Sequence, residues 1–353
     1  MTNTKLKTAI AGTALIAFAA TATMATAQGS PLSPGQPRLE QNQPQPPGAI
    51  EADGPNVFPH SADFDIQSKT FYAGSLKSGA VSTVGPDGKV SPFIQDPAIV
   101  SAQAVNVDRE RNRVLVSNTD YGLADRSNKE DPFRIAGVGS YDLATGRQHW
   151  CVDLAAILQD GRKHLISDVT VAPDGTAYAV DELTPTIFRI DQQGSASVFL
   201  QNDLLRGKLD IPDFLDGVGM AAVEWVDGDQ LIIAMAEGSL IRVPVQHPEQ
   251  AQPVQLSAPL VSPTAGMRLL PDGSISAVSS GLLSGEPAQI QRVQPSDGWQ
   301  NATVKVTDTV ADPVTSDVTE GPGGTTYALS GGLAAFLGGK PNDGFTLTPV
   351  ETD

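Results

Sequence analysis

The chain has 353 residues, among them 34 glycines, 27 prolines and one cysteine, and carries a formal charge of −17. A single cysteine excludes an intrachain disulfide and a cysteine-built zinc site. The acids are scattered and no Lys/Arg stripe exists, so nucleic acid and anionic membrane are poor partners, whereas a cationic or neutral small molecule suits the field.

Lys5 and Lys7 precede a short Ala/Thr-rich apolar run, and Ala25-Thr26-Ala27 fits a small-x-small cleavage site. This predicts a signal peptide over 1–27, a periplasmic or secreted product, and no membrane attachment after cleavage. Residues 28–50, "QGSPLSPGQPRLEQNQPQPPGAI", hold too little apolar surface to offset ordering, which predicts a flexible linker.

From 51 to 353 the chain alternates in short apolar runs broken by Gly, Pro, Asp and Asn. Helical periodicity is confined to Leu154–Leu158 and a turn near Asp203–Lys208. The stretch "SADFDIQSKTFYAGSLKSGAVSTVGPDGKVSPFI" from Ser61 returns from Ser167 as "SDVTVAPDGTAYAVDELTPTIFRIDQQGSASVFL". Looser copies start at Ala102, Gly217, Ala265 and Ser316, giving six units of propeller-blade spacing. In each, a Pro-Asp-Gly or similar turn should lead from strand A to strand B, an "xIxRV" run should form strand C, and an ending such as "SVFL" strand D. One such sheet cannot bury both faces, but six set radially cover each other. The expected fold is all-β: one monomeric six-bladed β-propeller with blades of four antiparallel strands.

In a propeller the residues before each A strand and at each B-strand end crowd one mouth. These are His60/Ser61, Gln103, Ser167/Asp168, Asp216, Ala265/Arg268 and Ser316/Asp317, with Asn118/Asp120, Asp181/Glu182 and Ser279/Ser280. Adjacent carboxylates such as Asp181 and Glu182 point to different sides. Asp317 repeats the "SDVT" string of blade three, which reads as blade building. Trp150, Trp225 and Trp299 should fill gaps between blades, and Cys151 should be a small buried apolar side chain. Neither a G-x-G-x-x-G nor a G-x-S-x-G motif is present, which removes dinucleotide-binding and serine-hydrolase readings.

"FPHSADFDIQSKTFYAGS" and the blade from Ser167 resemble the senescence-marker-protein/gluconolactonase/luciferin-regenerating-enzyme family of six-bladed propellers. The resemblance implies hydrolysis of a lactone with one divalent cation in the channel. It maps His60 onto the family's ligand Glu, Ser167 onto its substrate Asn, Asp216 onto its ligand Asn and Ala265 onto its ligand Asp. Calcium prefers hard oxygen ligands, and His60 shifts the choice toward zinc or a transition metal. The expected site takes a single Ca²⁺, Mn²⁺ or Zn²⁺ on His60 and Asp216, with Asp168 and Asp317 as further donors. Asp168 and Asp216 would be catalytic, and Ser167, Asp181 and Arg268 would contact substrate. Such a cation would polarise a carbonyl and acidify a bound water in a lactone or small-ester hydrolase. The alternative is a non-catalytic propeller binding a small molecule or a protein partner at the same mouth. A strictosidine-synthase-like acid–base enzyme is a third reading.

Overall fold

The computed structural model describes residues 48–212 and 215–353. The expected signal peptide and nearly all of the expected linker lie outside the described residues. Strand A of each blade is Pro59–Asp65, Ser101–Asp108, Ile166–Val171, Met220–Val226, Thr264–Leu269 and Asp317–Glu320 in turn. From each the sheet runs outward through antiparallel hairpins, for example Ala177–Asp181, Thr186–Ile190 and Ala196–Gln201 in blade three. Blade five carries an extra outer strand, Gln255–Leu256, parallel to Asn301–Val310. Each inner strand packs on the next, and the sixth packs on the first. The fold is a six-bladed β-propeller.

The ring closes with strand Ile50–Ala52, which pairs with Phe345–Pro349 as the outermost strand of blade six. Its neighbour in space is the turn Pro86-Asp87-Gly88, which joins strands C and D of blade one rather than A and B as expected. Gly88 has φ +76°, and a Cβ there would sit 2.0 Å from the Glu51 carbonyl oxygen. Only glycine both adopts that backbone and admits the closing strand. Gly88→Ala should therefore cost about 1–3 kcal/mol of unfolding free energy, measured by urea titration. Unchanged stability would show that closure tolerates displacement of Glu51.

The core consists of layers between blades. Tyr72, Val81 and Ile94 of blade one meet Val114, Val116 and Tyr141 of blade two. Leu231, Ile233 and Met235 of blade four meet Tyr178, Val180 and Ile187 of blade three. The middle strands are covered on both faces, which is why "LIIAM" at 231–235 reads as an unbroken apolar run rather than an alternation. Trp225 packs against the layer between blades three and four, Trp299 is buried between blades four and five, and Trp150 is partly covered between blades two and three. Cys151 departs from its expected burial. It lies on the edge strand Gln148–Asp153, where alternation turns it to solvent.

Candidate functional site

Inner strands one to five each shift register near their start: between Pro59 and Ala62, Ala102 and Val105, Ile166 and Asp168, Met220 and Ala222, and Thr264 and Gly266. A bulge re-aims the extra side chain. Here His60, Gln103, Ser167, Ala221 and Ala265 all line one cavity at the mouth, joined by Ser316 from blade six. The cavity measures about 90 Å³. Its apolar wall comes from Leu165, from the hairpin Leu209–Ile211/Leu215–Val218 inserted ahead of blade four, and from the short helix Leu333–Leu337.

Most polar side chains of this cavity are committed to the protein. The hydroxyls of Ser167, Ser280, Thr315 and Ser316 donate to the carbonyls of Met220 (2.7 Å), Pro313 (3.0 Å), Asp312 (2.9 Å) and His60 (2.8 Å). Thr264 donates to the Val261 carbonyl at 3.3 Å, and the Tyr121 hydroxyl donates to Gln103 Oε1. Two side chains differ. The His60 imidazole and the Glu182 carboxyl face the cavity and have no hydrogen-bond partner among the described residues. Burial lowers the His60 pKa to about 4. Burial, with the adjacent Asp181 charge, raises Glu182 to about 8. Near neutral pH the imidazole is thus unprotonated and the carboxyl protonated, so both are uncharged.

Glu182 follows the last residue of strand Ala177–Asp181, and that neighbour fixes its direction. Asp181 is fully buried and turned away from the cavity. Its Oδ2 meets His164 Nδ1 at 2.7 Å and accepts from Thr184 Oγ1 at 2.8 Å. Its Oδ1 accepts from the amides of Leu165 (3.1 Å), Leu183 (3.0 Å) and Thr184 (3.3 Å). His164 Nε2 lies 3.2 Å from Asp160 Oδ1. Burial opposes charging of His164, but the Asp181 hydrogen bond and charge, helped by Asp160, outweigh it and raise its pKa. Asp181 is therefore a buried knot holding the strand end, with no surface for a substrate.

Deeper along the axis lies a second polar layer. Asp168 Oδ1 accepts from Val169 N at 2.8 Å and Oδ2 from Val223 N of the next blade at 2.9 Å. Asp317 repeats the arrangement on Val318 (2.9 Å) and Ala62 (3.2 Å), and Asp63 on Phe64 (2.9 Å) and Val107 (2.7 Å). Glu224 accepts from Leu269 N at 3.1 Å, and Arg268 pairs with Asp63 at 3.0 Å. Asp168, Glu224, Arg268 and Asp317 surround a space of only about 30 Å³. This waist latches blade to blade.

Three solved structures share the architecture. The major allergen Mala s 1 of Malassezia sympodialis superposes with a TM-score of 0.69 at 14% identity, over 87% of this chain and 97% of that one. A candidate gluconolactonase gives 0.54 at 14% identity, over 86% and 92%. A streptogramin B lyase gives 0.51 at 10% identity, over 86% and 97%. The likeness is one of fold. No family model matches the sequence, and no curated protein does.

On this six-bladed propeller the four expected metal donors are dispersed. His60 is at the mouth, Asp168 and Asp317 are in the waist, and Asp216 is exposed on the inserted hairpin. The mouth position of blade four belongs to Ala221 instead of Asp216, because the hairpin interposes residues ahead of the inner strand. Ala265 contributes no donor atom. Among the described residues no three His, Cys, Asp or Glu side chains assemble to hold a metal ion. The donor set at the mouth therefore does not fit the cation that the resemblance implies. Of the expected substrate contacts, Ser167 does reach the mouth, whereas Arg268 lies at the waist, away from that cavity. Glu182 had a sequence signal in its place at a B-strand end, but its partner Asp181 carried the same signal. Tyr121 had none, since it sits in the irregular segment following Arg113–Thr119.

Proposed function

We propose that this propeller binds a small, largely apolar molecule in the cavity at the mouth. The observation that carries the reading is the contrast within that cavity. Its wall is mainly aliphatic, its Ser and Thr hydroxyls are tied to backbone carbonyls and that of Tyr121 to Gln103, and His60 and Glu182 are left facing the space. Binding sites of this type combine an apolar body with a few convergent polar groups that orient the ligand. Donors for the hydrolase chemistry implied by the resemblance are dispersed, so the same mouth serves recognition.

The test is titration of the folded protein with 1-hexanol and cyclohexanone, followed by methyl NMR. Expected shifts fall on Leu165, Leu215, Leu333 and Leu337, and Ala221→Phe, which puts a ring into the cavity, abolishes them. Shifts confined to waist residues, or none at millimolar ligand, would remove the reading.

A further inference from the structure

The two free polar groups also restrict the charge of the molecule. We propose, resting on the small-molecule reading above, that the mouth selects an uncharged ligand whose oxygen accepts a hydrogen bond from the Glu182 carboxyl.

No Lys or Arg is among the described residues that line the cavity, so an anionic head would enter without a counter-charge from them. Burying such a charge is costly unless it is paired. Asp181 adds a carboxylate directly behind Glu182, held there by His164. A protonated carboxyl has one O–H to donate, and the carbonyl, ether or hydroxyl oxygen of a neutral ligand is its natural acceptor. His60 offers the complement, since a neutral imidazole keeps one nitrogen as acceptor and one as donor. The carbon skeleton of such a ligand would lie on Leu165, Leu215 and Leu333.

Titration gives the proposal a signature. Glu182 is raised to about 8 and His60 lowered to about 4, so between them the donor and the imidazole are both in place. Among the described residues, the titratable groups that line the cavity with Glu182 are His60 and Tyr121, and Asp181 acts on it from behind, with His164 and Asp160 beyond. Burial and the Glu182 charge hold Tyr121 well above its ordinary range, so it keeps its proton in the same window. His164 titrates behind the knot, so the assay needs a control that removes only the Glu182 proton.

The experiment compares 1-hexanol, hexanoate and hexylammonium by calorimetry on the folded protein from pH 6 to pH 9. Hexanol is expected to bind about tenfold or more tightly than hexanoate at pH 7. The affinity of cyclohexanone, measured alongside because its carbonyl oxygen can only accept a hydrogen bond, should fall about tenfold between pH 6 and pH 9 as the Glu182 proton is lost. Glu182→Gln keeps an N–H donor and cannot ionise, so it should bind cyclohexanone with a flat pH profile. A pH slope retained in Glu182→Gln, equal binding of hexanoate, or hexylammonium binding tightest with affinity rising toward pH 9 would each overturn the charge selection while leaving the cavity reading intact. Failure of all four probes to bind would remove the cavity reading itself.

Discussion

Asp181→Ala is expected to lower unfolding free energy by about 3–5 kcal/mol, measured by urea titration at pH 7. The side chain is fully buried and receives hydrogen bonds from His164, Leu165, Leu183 and Thr184. Removing it leaves three amides and a buried imidazole without their acceptor, and unmade buried bonds cost more than made ones contribute. The sign of the pH dependence follows from His164, whose pKa is raised on folding. A raised group contributes stability that is fully present below its unfolded pKa and is lost as pH rises through the folded one. The difference between native protein and Asp181→Ala should therefore be larger at pH 5.5 than at pH 8.5. An equal difference at both would mean that His164 stays neutral and only the neutral hydrogen bonds matter. The same variant should weaken hexanol binding, because Glu182 loses the strand end that aims it.

How much of this was legible beforehand depends on whether the signal is local. The hairpins of blades three and five announce themselves through Pro173-Asp174-Gly175 and Pro271-Asp272-Gly273, whose glycines take φ +86° and +81°. Alternating runs on either side supply the strands, so repeat counting gives the ring. Closure is not local. Ile50-Glu51-Ala52 is too short to show a period, and its partner Phe345–Pro349 lies at the other end of the described chain. Blade four misled by spacing: Asp216 stands where a mouth residue should, yet the inserted hairpin carries it outward and leaves Ala221 in its place. The repeated "SDVT" string was informative in both of its copies. Asp168 and Asp317 each bind the next amide in their own strand and one amide of the following blade. A carboxylate at that position fastens neighbouring inner strands, whatever else it does. Glu182 was visible as an acid at a strand end, but which of two adjacent acids faced the cavity depended on His164, whose contact with Asp181 no spacing rule encodes.

The waist should make the whole propeller more stable in mild acid than in mild base. Burial, partly offset by the Arg268 charge, raises Glu224 to about 7. Burial against hydrogen bonds from Ser61, Ala62 and Val318 raises Asp317 to about 7. Asp168 is pushed well above its ordinary value by burial, with the Asp317 and Glu224 charges adding to it. All three are raised; for Glu224 and Asp317 the contribution is complete below pH ~4 and is lost as pH climbs through 7, and Asp168 acts in the same direction. Between pH 5.5 and pH 8.5 the loss should be about 1–2 kcal/mol for each of Glu224 and Asp317. The charged groups that meet here are Asp63, Asp168, Glu224, Arg268, Asp317 and Glu320, and the single cation is what lets the others ionise together. Arg268→Met keeps much of the apolar stem and removes that cation. At pH 8.5 it should cost about 3–5 kcal/mol, because Asp63 loses its partner while its neighbours are forced to ionise or hold protons against the solvent. At pH 5.5 Glu224 and Asp317 already hold their protons, so the cost should shrink toward that of the Asp63 pair. Urea titrations of both proteins across this range decide the matter: a gap between them that stays constant with pH, or a native protein that gains stability toward pH 8.5, would show that the waist carboxyls keep ordinary acidity despite their burial.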